Sequence, residues 1–74
     1  MSLERVLDIV QEHLKLVKRP KATDKLNSLG ADSLDLVELA PDIRKEFNIK
    51  FSDEEWGNIT DIASIVALIK KKGG

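Results

Sequence analysis

Apolar residues recur at three- and four-residue steps along most of the chain, the spacing that gathers side chains on one helix face. Near the start, Leu3, Val6, Leu7, Val10, Leu14 and Val17 form one such stripe. Ser2 is placed to cap this helix and Glu4 suits its positive end. Lys18-Arg19-Pro20 ends it near Val17, because proline cannot continue a helix. His13 falls at the edge of the stripe. With no cysteine and no second histidine beside it, it reads as an ordinary surface or boundary residue.

Residues 18–32 keep no period and contain Pro20, Asn27, Ser28 and Gly30, which predicts a long connection pinned to the bundle by Leu26 and Leu29. Loops of this length are commonly functional. A second helix is predicted from Ser33 to Phe47, ended by Asn48. Ser52-Asp53-Glu54-Glu55 is a capping box that starts a short helical turn, stopped by Gly57. Thr60 and Asp61 cap a last helix with the stripe Ile62, Ile65, Val66 and Ile69, and Lys70–Lys72 lie at its negative end. Strand-like alternation and internal repeats are absent. The pattern predicts an all-α fold: a small four-helix bundle, three main helices and one short one, forming a single domain over residues 1–74.

Composition narrows the function classes. The chain has 74 residues, no cysteine and one histidine, which excludes disulfide staples and zinc sites and predicts no resident metal. No apolar run reaches membrane-spanning length, and no signal-peptide block opens the chain. Glu4, Asp8 and Glu12 stand where transit peptides avoid acids. The expectation is a soluble cytoplasmic monomer without stable membrane insertion. Net charge is −1, but it is unevenly spread. Residues 1–30 carry six basic and four acidic side chains, residues 31–62 three basic and nine acidic, and the last twelve add three lysines. An acidic middle argues against a nucleic-acid partner and suits a basic protein surface, unless it is simply a solvated face. The diglycine Gly73-Gly74 resembles the activated end of ubiquitin-like carriers, but those are strand-rich, so a frayed or appended tail is expected.

The second helix separates two apolar stripes at about 100° per residue. Leu36, Leu39, Ala40, Ile43 and Phe47 form the core face; Leu34, Val37 and Pro41 fall on the opposite side beside Glu38 and Lys45. A small bundle buries one face, so the second stripe is either covered by the long loop or left open for a partner. Ser33, behind Asp32 and Leu29-Gly30-Ala31, stands at the helix start, where Asp32 or Ser33 can act as a cap.

The run Leu29-Gly30-Ala31-Asp32-Ser33-Leu34-Asp35-Leu36-Val37-Glu38-Leu39 closely resembles the prosthetic-group site of acyl carrier proteins. Glu4-Arg5-Val6 with Ile9 resembles their first helix, and Glu46-Phe47-Asn48-Ile49 the end of their second. The helix pattern, long first loop and length match as well, so the resemblance covers essentially the whole chain. It implies that Ser33 carries 4′-phosphopantetheine, donated by coenzyme A through a phosphopantetheinyl transferase. It also implies that Asp32 helps hold magnesium in that complex, and that the arm's thiol holds acyl groups as thioesters while the bundle interior shelters the chain. Acyl-transferring, condensing and modifying enzymes of fatty-acid, polyketide or related lipid synthesis would dock on Leu34, Asp35, Val37, Glu38, Pro41, Arg44 and Lys45. The carrier itself catalyses nothing. The rival reading is an unmodified helical adaptor that binds a partner through Leu34, Val37 and Pro41.

Four positions depart from the common bacterial pattern. Pro41 removes the hydrogen bond to the Val37 carbonyl, at a cost of ~3 kcal/mol if uncompensated, so the helix is expected to bend and persist. Arg44 and Lys45 dilute the acidic face. Trp56 replaces a small or polar residue and is expected to fill the core.

Overall fold

The computed structural model, described over residues 2–74, contains α1 (Ser2–Leu14), α2 (Ser33–Phe47), α3 (Asp53–Gly57) and α4 (Ile62–Lys71). The stripe of α1 buries Val6, Leu7 and Val10, with Leu3, Ile9 and Leu14 packed at its margin. Ser2 is already the first helical residue of α1 rather than a residue flanking it.

Helix α1 stops three residues earlier than its periodicity implies. Lys15 takes the left-handed conformation (φ 55°). The Leu16 N–H then turns back to the Gln11 carbonyl at 2.9 Å, and the Lys15 N–H reaches Glu12 at 3.3 Å. This pair of reversed bonds is a Schellman ending, which satisfies the last carbonyls before Pro20 can intervene. As a result Leu16 packs against the core, while Val17 is 98% exposed.

The connection from α1 to α2 is fastened at several points. Pro20 and Leu26 are buried, and Leu29 packs against the core. Arg19 reaches back to Glu4 and Asp8 on α1, at 3.0 and 2.7 Å. The backbone pairs with the start of α4: Leu26 N–H to Thr60 at 3.0 Å, Ile62 N–H to Asp24 at 3.3 Å and Ala63 N–H to Ala22 at 2.9 Å. One antiparallel bridge, Lys25 with Asp61, marks this seam.

Helix α1 packs against both α2 and α4. Val6, Val10, Leu39, Ile43, Ile62, Ile65 and Ile69 are fully buried between them. Arg5 clamps Glu46 with two bonds, at 3.0 and 2.9 Å, which fixes the start of α1 beside the end of α2. Helices α2, α3 and α4 each open with a reciprocal capping box: Asp32 with Asp35, Ser52 with Glu55, and Asp61 with Ser64.

The diglycine is part of the fold. Gly73 adopts φ 83°, a region that favours glycine. The Gly74 N–H bonds the Ile69 carbonyl at 3.0 Å, and the Gly73 N–H bonds Lys70 at 3.2 Å. Gly74 lies so close to Ile49, Ile69 and Phe47 that a β-carbon there would come within 2.8 Å of Ile49. The expected frayed tail is therefore a packed Schellman cap of α4.

Candidate functional site

The residues before α2 form a tight turn. Leu29 and Ala31 return hydrogen bonds to Lys25 and Leu26, and Gly30 closes the turn at φ 92° with open space around it. Because Leu26 is only 2% exposed, this turn stands on the core. Asp32 then takes extended backbone angles and caps α2. Its carboxylate accepts the Asp35 N–H at 2.9 Å, while Asp35 accepts the Asp32 N–H at 3.1 Å.

With Asp32 as the cap, Ser33 becomes the first residue of α2, exposed and with its hydroxyl outside the capping bonds. Asp32 Oδ1 is committed to the cap, and its second oxygen is not part of it.

The two stripes of α2 separate as their spacing requires. Leu39, Ala40 and Ile43 are buried, with Leu36 and Phe47 half-buried beside them. On the other side Leu34 is 62% and Val37 65% exposed, so the loop does not cover this stripe. Pro41, Glu38, Asp42 and Lys45 are exposed as well. Helix α2 runs through Pro41 to Phe47 without a break. The unpaired Val37 carbonyl belongs to an exposed residue, where water can replace the missing N–H.

His13 was legible as a boundary residue, but its contacts were not. Its Nε2 lies 3.5 Å from Glu38 and 3.7 Å from Asp35, and its Nδ1 lies 3.9 Å from Asp42. One imidazole thus faces three acids spaced along α2. Ligand-type atoms of His13, Asp35 and Glu38 lie within 4.8 Å of one another; Asp35 turns Oδ1 toward His13 while its Oδ2 accepts the Asp32 N–H. The acid spacing on α2 could be read from sequence; the antiparallel pairing that delivers His13 could not.

Arg44 and Trp56 meet through Phe51. The Arg44 guanidinium sits 5.0 Å over the Phe51 ring, and Phe51 stacks on Trp56 at 5.1 Å between centroids. The indole N–H of Trp56 donates to the Leu36 carbonyl at 2.8 Å. Trp56 is half-buried and packs against the core, as expected, and its indole N–H also ties α3 to α2. Lys45 remains exposed on the outer face. On the far side of α3, Lys72 bonds Glu55 at 2.7 Å, and with the Ser52 N–H it lowers the Glu55 carboxyl to about 2.

Residues 4–69 match the family model for the phosphopantetheine attachment site. The chain is 39% identical over 70 residues to an acyl carrier protein of Buchnera aphidicola, covering 92% of this chain and 90% of that one. It is 38% identical over 73 residues to an acyl carrier protein of Thermotoga maritima, covering 95% and 89%. An acyl carrier protein homolog of Mycoplasmopsis pulmonis is 42% identical over 65 residues, with coverage of 86% and 89%. The crystal structure of an acyl carrier protein from Thermotoga maritima shares the fold, with a TM-score of 0.79 at 23% identity over 97% of this chain and 91% of that one. The chain therefore belongs to the acyl carrier proteins, which bear phosphopantetheine, pass acyl groups among synthesis enzymes and catalyse nothing themselves.

Proposed function

We propose that Ser33 is the residue that takes the 4′-phosphopantetheine arm, and that the chain works as a single carrier domain in the cytoplasm, as a monomer. The observation that carries this is an exposed hydroxyl at the first position of a 15-residue helix, left free because Asp32 supplies the cap. In the transfer, the Ser33 oxygen bonds to the pantetheine-bearing phosphorus of coenzyme A. The phosphoanhydride bond breaks to release adenosine 3′,5′-bisphosphate, and the serine proton passes to a base on the transferase. The added phosphodiester lies at the positive end of α2, where backbone N–H groups favour it. In the transferase complex Asp32 would help hold the magnesium ion, and its Oδ2 lies outside the capping bond. When attached, the arm supplies the thiol that this cysteine-free chain lacks.

Leu34, Val37 and Pro41 then give the phosphopantetheinyl transferase and the acyl-transferring, condensing and modifying enzymes an apolar footing. Asp35, Glu38 and Asp42 steer basic surfaces toward it. Lys45 tempers that field at the far end of the helix, and Arg44 contributes by holding Phe51.

The test is intact mass after incubation with coenzyme A, magnesium and a promiscuous transferase. Wild type gains one arm and Ser33→Ala gains none. A mass gain in Ser33→Ala places the attachment elsewhere.

A further inference from the structure

Between Glu12 and Asp24 the chain carries no acid and four cations: Lys15, Lys18, Arg19 and Lys21. These cations divide into two kinds. Arg19 is spent inside the molecule, bonding Asp8 at 2.7 Å, the Glu4 carboxylate at 3.0 Å and the Glu4 carbonyl at 3.2 Å. Lys15, Lys18 and Lys21 are exposed, and none has an ion-pair partner among the described residues. Asp24 is turned onto the backbone, where it accepts the Lys21 N–H at 2.8 Å. Glu12 stays at the margin of the patch.

Val17 stands among these lysines, 98% exposed. A lone exposed valine is ordinary on a protein surface, but this one is held out. Before it, Leu16 packs against the core, with its N–H bonded to the Gln11 carbonyl at 2.9 Å. The Gln11 side chain in turn donates to the Leu16 carbonyl at 3.3 Å. After it, Arg19 is clamped to α1 and Pro20 is buried. The tip Val17-Lys18 is thus fixed at both ends, and the entropy of ordering it is spent on folding rather than on binding. It also lies away from α2. At about 100° per residue, Gln11 and His13 point to nearly opposite sides of α1. Gln11 holds the turn that carries Val17, whereas His13 faces the acids of α2.

We propose that residues 15–21 are a peripheral contact for an anionic lipid bilayer. Val17 enters the boundary between headgroups and acyl chains, while Lys15, Lys18 and Lys21 stay among the phosphates. The chemistry favours lipid over an acidic protein. One protruding aliphatic side chain offers little of the roughly 800 Å² that a standard protein interface takes from each partner. Carboxylates are read best by the planar fork of arginine, and the one arginine here is turned inward. What remains outside is a set of compact ammonium charges, which suits a crowd of phosphates. No helix is long and apolar enough to cross a membrane, so the contact is superficial and reversible. A carrier held this way turns the acidic face of α2, which anionic lipid repels, toward solvent and an incoming enzyme. The contact does not depend on which residue carries the arm.

The experiment sediments the full chain with vesicles of phosphatidylcholine, alone or with phosphatidylglycerol, at low and high salt. Circular dichroism first shows that each variant is folded. Wild type pellets several-fold more with the phosphatidylglycerol vesicles, and high salt removes the excess. Lys18→Gln with Lys21→Gln loses most of it. Lys50→Gln with Lys70→Gln, an equal change of charge at two other exposed lysines, keeps it. Val17→Ser, at unchanged charge, weakens it several-fold. A spin-labelled lipid in the same vesicles broadens the amide resonances of residues 15–21 and spares those of 34–45. Equal sedimentation with both kinds of vesicle overturns the proposal. Equal loss in the two lysine pairs does so too, since net charge alone then explains the binding, as does broadening centred on α2. Retention on immobilised polyglutamate as strong as on vesicles, with Val17→Ser unaffected on both, makes the partner an acidic protein and overturns the lipid assignment.

Discussion

Nε2 of His13 stands 3.5 Å from the carboxylate of Glu38, across the interface between the last turn of α1 and the outer face of α2. The same ring reaches Asp35 and Asp42, so one side chain of a neighbouring helix faces three acids of the proposed docking face. A fixed cation at this position should blunt steering of a basic partner. His13→Lys is expected to slow transferase loading in the same direction as Glu38→Lys, with both defects shrinking as salt rises, while His13→Gln loads near the wild-type rate. Loading rates at low and high ionic strength check this.

The capping geometry separates chemistry from stability at two adjacent residues. Ser33→Ala should abolish arm attachment yet leave unfolding free energy within roughly 0.5 kcal/mol of wild type, since an exposed side chain outside the cap is removed. Asp32→Ala should cost about 1 kcal/mol by breaking the reciprocal bonds with Asp35. Denaturant melts of the two apo variants, run beside the mass assay, distinguish these outcomes.

At the far end of α2 the two basic residues should behave differently. Lys45→Glu is exposed and should change docking with little effect on folding. Arg44→Glu should lose the contact over Phe51, at about 0.5–1 kcal/mol. Pro41→Met should stabilise α2 by restoring the bond to Val37, by at most ~3 kcal/mol. Chemical denaturation of each single variant checks the order.

Acid should weaken the fold through named carboxylates. Lys72 and the Ser52 N–H hold Glu55 down at about 2, Arg19 lowers Asp8, and Arg5 lowers Glu46. Carboxyls lowered in the folded state stabilise it above their unfolded range near pH 4.5. That contribution is lost as pH falls toward 2, when the folded state must take up protons. Stability should therefore be level above pH 5 in this respect and fall below roughly 4.5, and Glu55→Gln should remove part of the slope. Denaturation midpoints across an acid series test it.

Lys15 offers a test of backbone strain. A left-handed lysine at a Schellman ending costs roughly 1–2 kcal/mol, so Lys15→Gly should raise stability by about 1 kcal/mol. A thermal melt suffices.

The helices and both stripes of α2 were legible because their burial follows periodicity and caps, which are local. The end of α1 was not. Val17 continues the apolar spacing, but the left-handed turn at Lys15 substitutes Leu16 for it, and lysine gives no signal of that conformation. The position of Ser33 at the start of α2 was legible from the pattern, whereas its freedom from the cap needed the Asp32–Asp35 bonds to be seen. Trp56 was legible as a residue packed on the core, but its hydrogen bond was not, because the Leu36 carbonyl belongs to another helix and carries no side-chain signature. Gly73 and Gly74 look flexible in sequence, and only the packing of Ile49, Ile69 and Phe47 shows that their lack of side chains is used.

The seam between residues 22–26 and the start of α4 has a consequence for the order in which the molecule assembles. Its backbone bonds join segments separated by the whole of α2 and α3. Ordering the turn that presents Ser33 must therefore wait for contacts late in the sequence, and the loop-closure entropy falls due before they form. A ribosome-bound chain lacking α4 would display Ser33 on an unanchored segment. Attachment of the proposed arm at Ser33 should therefore follow completion of the fold.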